Sequence, residues 1–147
     1  GLIGELYFLS EILINQTNLS LEMAIESWQG PLGGSKDFDL KNNQIEIKAK
    51  RTISKPKIKI SSEDQLEENP ETNLFLAVFG IDFSEAKESR NLNEWCLYVE
   101  REIEKRNPNL ISQFNNLLSE SGFDWEDDYS ESKWEIKEIV YYKIINS

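Results

Sequence analysis

Residues 36–51 constrain the fold more than any other stretch, because polar and apolar side chains alternate through two short runs separated by Asn42-Asn43. In the first run Phe38 and Leu40 face one way, with Asp37 and Asp39 opposite. In the second, Ile45, Ile47 and Ala49 share a face, with Glu46, Lys48 and Lys50 on the other. Period-two alternation marks strands with one buried face, and Asn suits a tight hairpin turn because it tolerates positive φ. The hairpin is expected at roughly 37–41 and 44–52. A two-residue turn at Asn42-Asn43 sets Asp39 opposite Glu46 and Asp37 opposite Lys48, both pairs on one side of the sheet. Three carboxylates and an ammonium then gather above an apolar underside.

The remaining elements read outward from this hairpin. Residues 2–14 repeat at helical spacing, with Leu2, Leu6, Leu9 and Leu13 in one stripe and Glu5 beside it near the helix start. Residues 15–20 read as a loop and 24–29 as a strand, stopped by Gly30-Pro31 and Gly33-Gly34. After Pro56 comes an alternating run at 57–60, and Ser61 to Gln65 reads as a helix start. Residues 74–81 are continuously apolar and short, as suits a central strand buried on both faces. An amphipathic helix is expected at 92–106, a second at 109–121 ending at Gly122, an acidic loop at 123–132, and a closing strand at 134–145. This mixed order with a central sheet indicates an α/β fold bordering on α+β.

Composition limits the chemistry. The 147 residues fit one domain with a real core. The chain starts at Gly1 and runs straight into an apolar pattern, so it is read as part of a longer protein. No apolar stretch approaches the length of a membrane span and no signal-peptide pattern appears, which points to a soluble, cytoplasmic protein. Without histidine, Ser-His-Asp and Cys-His nucleophile systems and His-ligated zinc are excluded within the chain, and one cysteine, Cys96, cannot build a zinc knuckle. Carboxylate, lysine and hydroxyl chemistry remains, with hard cations that prefer oxygen ligands. The net charge of −11 looks wrong for a nucleic-acid partner, but residues 36–59 carry +5 and the remainder −16. Positive charge therefore coincides with the candidate site. The Gly30 to Lys36 stretch is not a phosphate-binding loop, since Ser35 stands where the second glycine belongs.

Asp37, the hairpin and Glu46-Ile47-Lys48 together resemble the PD-(D/E)XK nuclease superfamily. More narrowly, the chain is similar to bacterial proteins predicted to belong to it. The shared elements are Gly4-Glu5-Leu6, Trp28-Gln29-Gly30-Pro31, Asp37-Phe38, Glu46-Ile47-Lys48 and Ser61-Ser62-Glu63-Asp64-Gln65-Leu66. The likeness covers residues 1–83 well and the rest loosely, so 84–147 reads as an extension of a restriction-endonuclease-like core.

The resemblance implies a helix, three antiparallel strands, a helix and a further strand. It also implies Mg²⁺ (or Mn²⁺) held by Asp37 and Glu46, and Lys48 orienting the attacking water. The Ile47 carbonyl would be a further ligand, Glu5 would complete a second metal shell, and Gln65 would orient Lys48 or a phosphate. Hairpin geometry favours Asp39 against Glu46 while the family pattern favours Asp37, and both stay open as ligands. Lys36, Lys50, Arg51 and Lys55 would contact DNA, and Trp28 would support the site. The implied setting is restriction or phage defence, with an upstream domain or other defence proteins as partners. The rival reading is a non-catalytic binding protein, either a degenerate nuclease fold or an acidic mimic of DNA.

Overall fold

The computed structural model describes residues 1–52, 72–87, 89–129 and 132–145. Its centre is a mixed sheet of β1 (Phe38–Asp39), β2 (Asn43–Arg51), β3 (Asn73–Phe83) and β4 (Trp134–Ile144), lying in that order. β2 runs antiparallel to β1 and parallel to β3, and β4 returns antiparallel to β3. With helices packed against it, this is an α/β arrangement compatible with a restriction-endonuclease-like fold. β3 is the central buried strand its apolar run predicts: Leu74, Leu76, Ala77, Val78 and Phe79 are all buried. The expected strand at 57–60 and helix start at 61–65 lie outside the described residues.

Among the described residues, the helices lie on one face of the sheet. α1 (Leu2–Tyr7) continues through Phe8–Ile14 with wider, π-type hydrogen bonding, so that the Asn15 N–H reaches the Ser10 carbonyl. Leu6, Leu9 and Leu13 of the apolar stripe are buried against Ile47 and Phe79 of the sheet in one core. α3 (Leu92–Arg106) begins at a capping box in which Asn91 and Glu94 exchange side-chain and backbone hydrogen bonds. α4 (Ile111–Glu120) follows a short turn at Pro108–Leu110 and buries Phe114, Leu117 and Leu118.

Residues 24–29 are not a strand. Leu21–Ser27 form helix α2, opened by Ser20, whose hydroxyl accepts the Met23 N–H at 3.2 Å. Leu21, Ala24, Ile25 and Trp28 recur at helical spacing. That period is invisible in a window that starts at Ala24. Only Trp28, just beyond the helix, makes a sheet-like contact, a bridge to Phe38.

The hairpin turn also falls one residue earlier than expected. Leu40 and Asn43 exchange backbone hydrogen bonds at 2.8 and 3.2 Å, closing the turn around Lys41-Asn42. No non-glycine residue among those described has positive φ, so the turn does not use the tolerance of Asn for that region. Asn43 belongs to β2 instead, because β3 holds it there. Asn73 pairs with it in register, donates its N–H to the Asn42 carbonyl at 2.9 Å, and bonds the two side chains at 3.2 Å.

Candidate active site

Moving the turn by one residue shifts cross-strand partners by two, which preserves the faces and changes the pairs. Phe38 pairs with Ile45 and Asp39 with Gln44. Continued one step, this register sets Asp37 against Glu46. Asp39 is exposed and is not the residue facing Glu46, contrary to the geometry expected from a turn at Asn42-Asn43.

β1 stops at Phe38, so the edge of β2 beyond Ile45 lacks a strand partner on that side among the described residues. Asp37 fills the gap with its side chain, Oδ2 accepting the Ile47 N–H at 2.8 Å. The N–H and C=O of one strand residue point the same way. The Ile47 carbonyl is therefore directed to the same edge. Backbone anchors fix Asp37 from behind, since its carbonyl accepts from Gln29 N at 2.8 Å and Gly30 N at 3.0 Å.

Glu5 reaches this edge from α1. Its Oε1 accepts a hydrogen bond from the indole Nε1 of fully buried Trp28 at 3.1 Å. Gly30 makes the approach possible: a Cβ there would collide with Glu5 Oε1 and stand 2.8 Å from Asp37 Oδ1. The two oxygens converge on one small space that only glycine leaves open. Trp28 and Gly30 both come from the Trp-Gln-Gly-Pro stretch. The sequence flagged Trp28, but nothing in it showed that Gly30 makes room for carboxylates.

Electrostatics reflect this crowding. Burial, then the Asp37 carboxylate, push Glu5 up to about 7, against which the Trp28 hydrogen bond works. Glu46, only 6% exposed, is likewise raised to about 7 by burial and then Asp37, while Lys48 and then Lys36 pull it back. Lys36 is itself buried, at 4% exposure, with Nζ 3.4 Å from the Ser35 carbonyl. It stands as a local counter-charge to Glu46, and its burial leaves little of it at the surface for the expected DNA contact. Lys48 and Lys50 lie half-buried along the same face of β2 as Glu46, and Arg51 ends the strand. Gln65 and Lys55 lie outside the described residues.

The donor set suits a hard divalent cation. Oxygen ligands from Glu5, Asp37, Glu46 and the Ile47 carbonyl meet its preference, and excess negative charge around Asp37 is what such an ion offsets. Among the described residues, however, no three acidic or cysteine side chains are drawn close enough together to hold a metal as they stand.

A family model described as "Putative PD-(D/E)XK family member, (DUF4420)" matches residues 1–147. The chain belongs to this family. No curated protein and no solved structure matches the chain. The match of this PD-(D/E)XK family member extends past the hairpin through α3, α4 and β4, where the sequence likeness was loose. No helix among the described residues is long and apolar enough to cross a membrane.

Proposed function

We propose that this PD-(D/E)XK family member is a Mg²⁺-dependent nuclease that hydrolyses phosphodiester bonds of DNA, with Mn²⁺ able to substitute, in a restriction or phage-defence setting. The observation that carries the reading is the set of Asp37, Glu46 and Lys48 where β2 runs past β1 without a strand partner on that side among the described residues, with Glu5 crossing to meet Asp37. Asp37 and Glu46 would hold the ion, with the Ile47 carbonyl as a further ligand and Glu5 completing the shell. Asp39, exposed and paired with Gln44, is the weaker candidate. A divalent ion bound there would supply positive charge against the dianionic transition state and make an attacking water more acidic.

The protein's own groups do the rest. Lys48 orients the attacking water and offsets charge on the phosphoryl oxygens. The Trp28 indole holds the Glu5 carboxylate, and the Gln29 and Gly30 amides anchor the backbone carbonyl of Asp37, which limits where these two side chains can move. Lys50, Arg51 and Lys55 would contact the DNA backbone, and Gln65 would orient Lys48 or a phosphate.

Two observations favour a second reading, a non-catalytic binding protein. The carboxylates are not drawn together as a closed metal cage among the described residues, and the net charge of −11 suits an acidic mimic of DNA. Plasmid cleavage with Mg²⁺ or Mn²⁺ separates the two. Wild-type protein cleaves, and Lys48→Ala and Glu46→Ala abolish cleavage while thermal unfolding stays cooperative. Cleavage that survives both substitutions sinks the nuclease reading.

A further inference from the structure

α4 has two sides, and only one of them faces the carboxylate site. Its Phe114 is fully buried and stacks on Trp28, which holds Glu5. The other side borders a cleft of about 870 Å³ between α3 and α4, walled by Leu97 and Glu100 of α3, Asn115 and Leu118 of α4, and residues 122–125. The chain doubles back at this last stretch because Gly122 takes the left-handed φ of 95° that ends α4, and the Phe123 N–H returns to the Leu118 carbonyl at 3.2 Å. The reversal brings Trp125 back to α4, where its indole Nε1 donates to Asn115 Oδ1 at 2.9 Å. Asn115 Nδ2 in turn donates to Glu100 Oε2 at 2.9 Å. One hydrogen-bonded chain thus ties the walls of the cleft together and fixes an indole that is 41% exposed.

An exposed tryptophan alone needs no explanation. Here its N–H is already donated to Asn115, so the indole gives the cleft only carbon and π surface. Leu97, Leu118 and Phe123 extend that surface. The charged groups of the lining are Glu100 and Asp124, and neither is in an ion pair among the described residues. Their surroundings are acidic as well. Residues 100–128 hold eight acidic and three basic side chains, a net −5, against +5 for residues 36–59. Such a surface repels a nucleic-acid phosphate and attracts a cation on an apolar stem.

We infer that this cleft docks an arginine-bearing segment of a partner protein. Charge complementarity selects the occupant. A guanidinium is planar, stacks on aromatic surface and binds carboxylate oxygens at its edge, so arginine answers Trp125, Glu100 and Asp124 together. Leu97, Leu118 and Phe123 then receive an apolar neighbour of that arginine. Tryptophan and arginine are also the residues on which protein interfaces concentrate their binding energy. The inference is independent of the nuclease reading, since no residue of the cleft belongs to the carboxylate site.

The test uses the full chain and the acetylated, amidated tetrapeptide Leu-Arg-Arg-Leu. Its docking place is read from the Trp125 indole N–H in proton–nitrogen correlation spectra, the signal being assigned with Trp125→Phe. Affinity is read from the anisotropy of a fluorescein-labelled copy of the peptide. The arginine peptide shifts the Trp125 signal saturably, and Leu-Glu-Glu-Leu leaves it in place. Trp125→Ala weakens binding about tenfold. Glu100→Gln combined with Asp124→Asn weakens it about fivefold and flattens its salt dependence. Comparing the two peptides needs only wild-type protein, so it decides even if a variant fails to fold. An unmoved Trp125 signal, an equal shift with the glutamate peptide, or undiminished affinity in a folded Trp125→Ala overturns the docking cleft. So does a DNA duplex that shifts the same signal in the peptide's place.

Discussion

Asp37 Oδ2 accepts the Ile47 N–H at 2.8 Å, a bond between residues ten apart in sequence at the point where β1 no longer covers β2. A side chain thus completes a ladder position that the backbone vacates. That places a carboxylate beside Glu46 and leaves the Ile47 carbonyl facing the same space. The arrangement separates Asp37 from Asp39, two residues that local pattern treats alike.

Asp37→Asn and Asp39→Asn should therefore behave differently. Outer contacts of metal ligands are worth roughly 10–100-fold in affinity or activity, and a direct ligand at least as much. Asp37→Asn is expected to lose Mn²⁺ binding by calorimetry and about 100-fold or more of cleavage. Asp39→Asn should stay near wild type. The reverse order would return Asp39 to the site.

Gly30→Ala tests the convergence of the carboxylates. The added methyl meets Glu5 Oε1 and Asp37 Oδ1, so cleavage should fall sharply as one carboxylate is displaced. Gly33→Ala is the contrast. Its Cβ would have open space, but its φ of 74° is left-handed, which costs about 1 kcal/mol and should lower thermal stability with activity retained. Equal activity in the two variants would count against a functional role for the Gly30 gap.

Stability should depend on pH with a definite sign when divalent ions are absent. Glu5 and Glu46 sit at about 7 in the folded chain against 4.5 for an ordinary glutamate. The folded state thus binds more protons than the unfolded state between those values. This contribution is fully present below pH 4.5 and is lost as pH rises through 7. The melting temperature in EDTA should fall from pH 5 to pH 8, and Glu46→Gln should flatten the fall. Mg²⁺ competes with protons for these oxygens, so it should raise the melting temperature more at pH 8 than at pH 5.

Trp28→Phe separates packing from hydrogen bonding. The ring keeps its place against Phe114, with centroids 6.1 Å apart in wild type, but the 3.1 Å bond to Glu5 is gone. A loss of about 1 kcal/mol in chemical denaturation is expected, with cleavage reduced toward the level of Glu5→Ala. Wild-type cleavage in Trp28→Phe would mean that the indole does not orient Glu5.

Much of this architecture was legible in the one-dimensional pattern. The alternation around Phe38, Ile45 and Ile47 marked the hairpin. The continuous apolar run marked β3 as central, and the helical period from Leu92 to Arg106 marked α3. These features are local, so the spacing of apolar residues suffices to find them. Helix α2 was misread for a local reason too, because its stripe begins at Leu21, upstream of the residues considered.

The amino-acid order by itself determined the hairpin strands, the central strand β3 and the closing strand β4, which face of the hairpin is apolar, and that acidic and basic groups share its polar face. Only the tertiary structure decided which aspartate meets Glu46. Asn43 could turn the chain or extend the strand, and local preference allows both. Its pairing with Asn73, thirty residues away, draws it into β2, moves the turn to Lys41-Asn42 and slides the register by two. Likewise, Glu5 joins the site only because α1 packs on β2 and Gly30 leaves room for its carboxylate. Such contacts cost chain entropy that only the assembled core offsets, so no short window of sequence contains them.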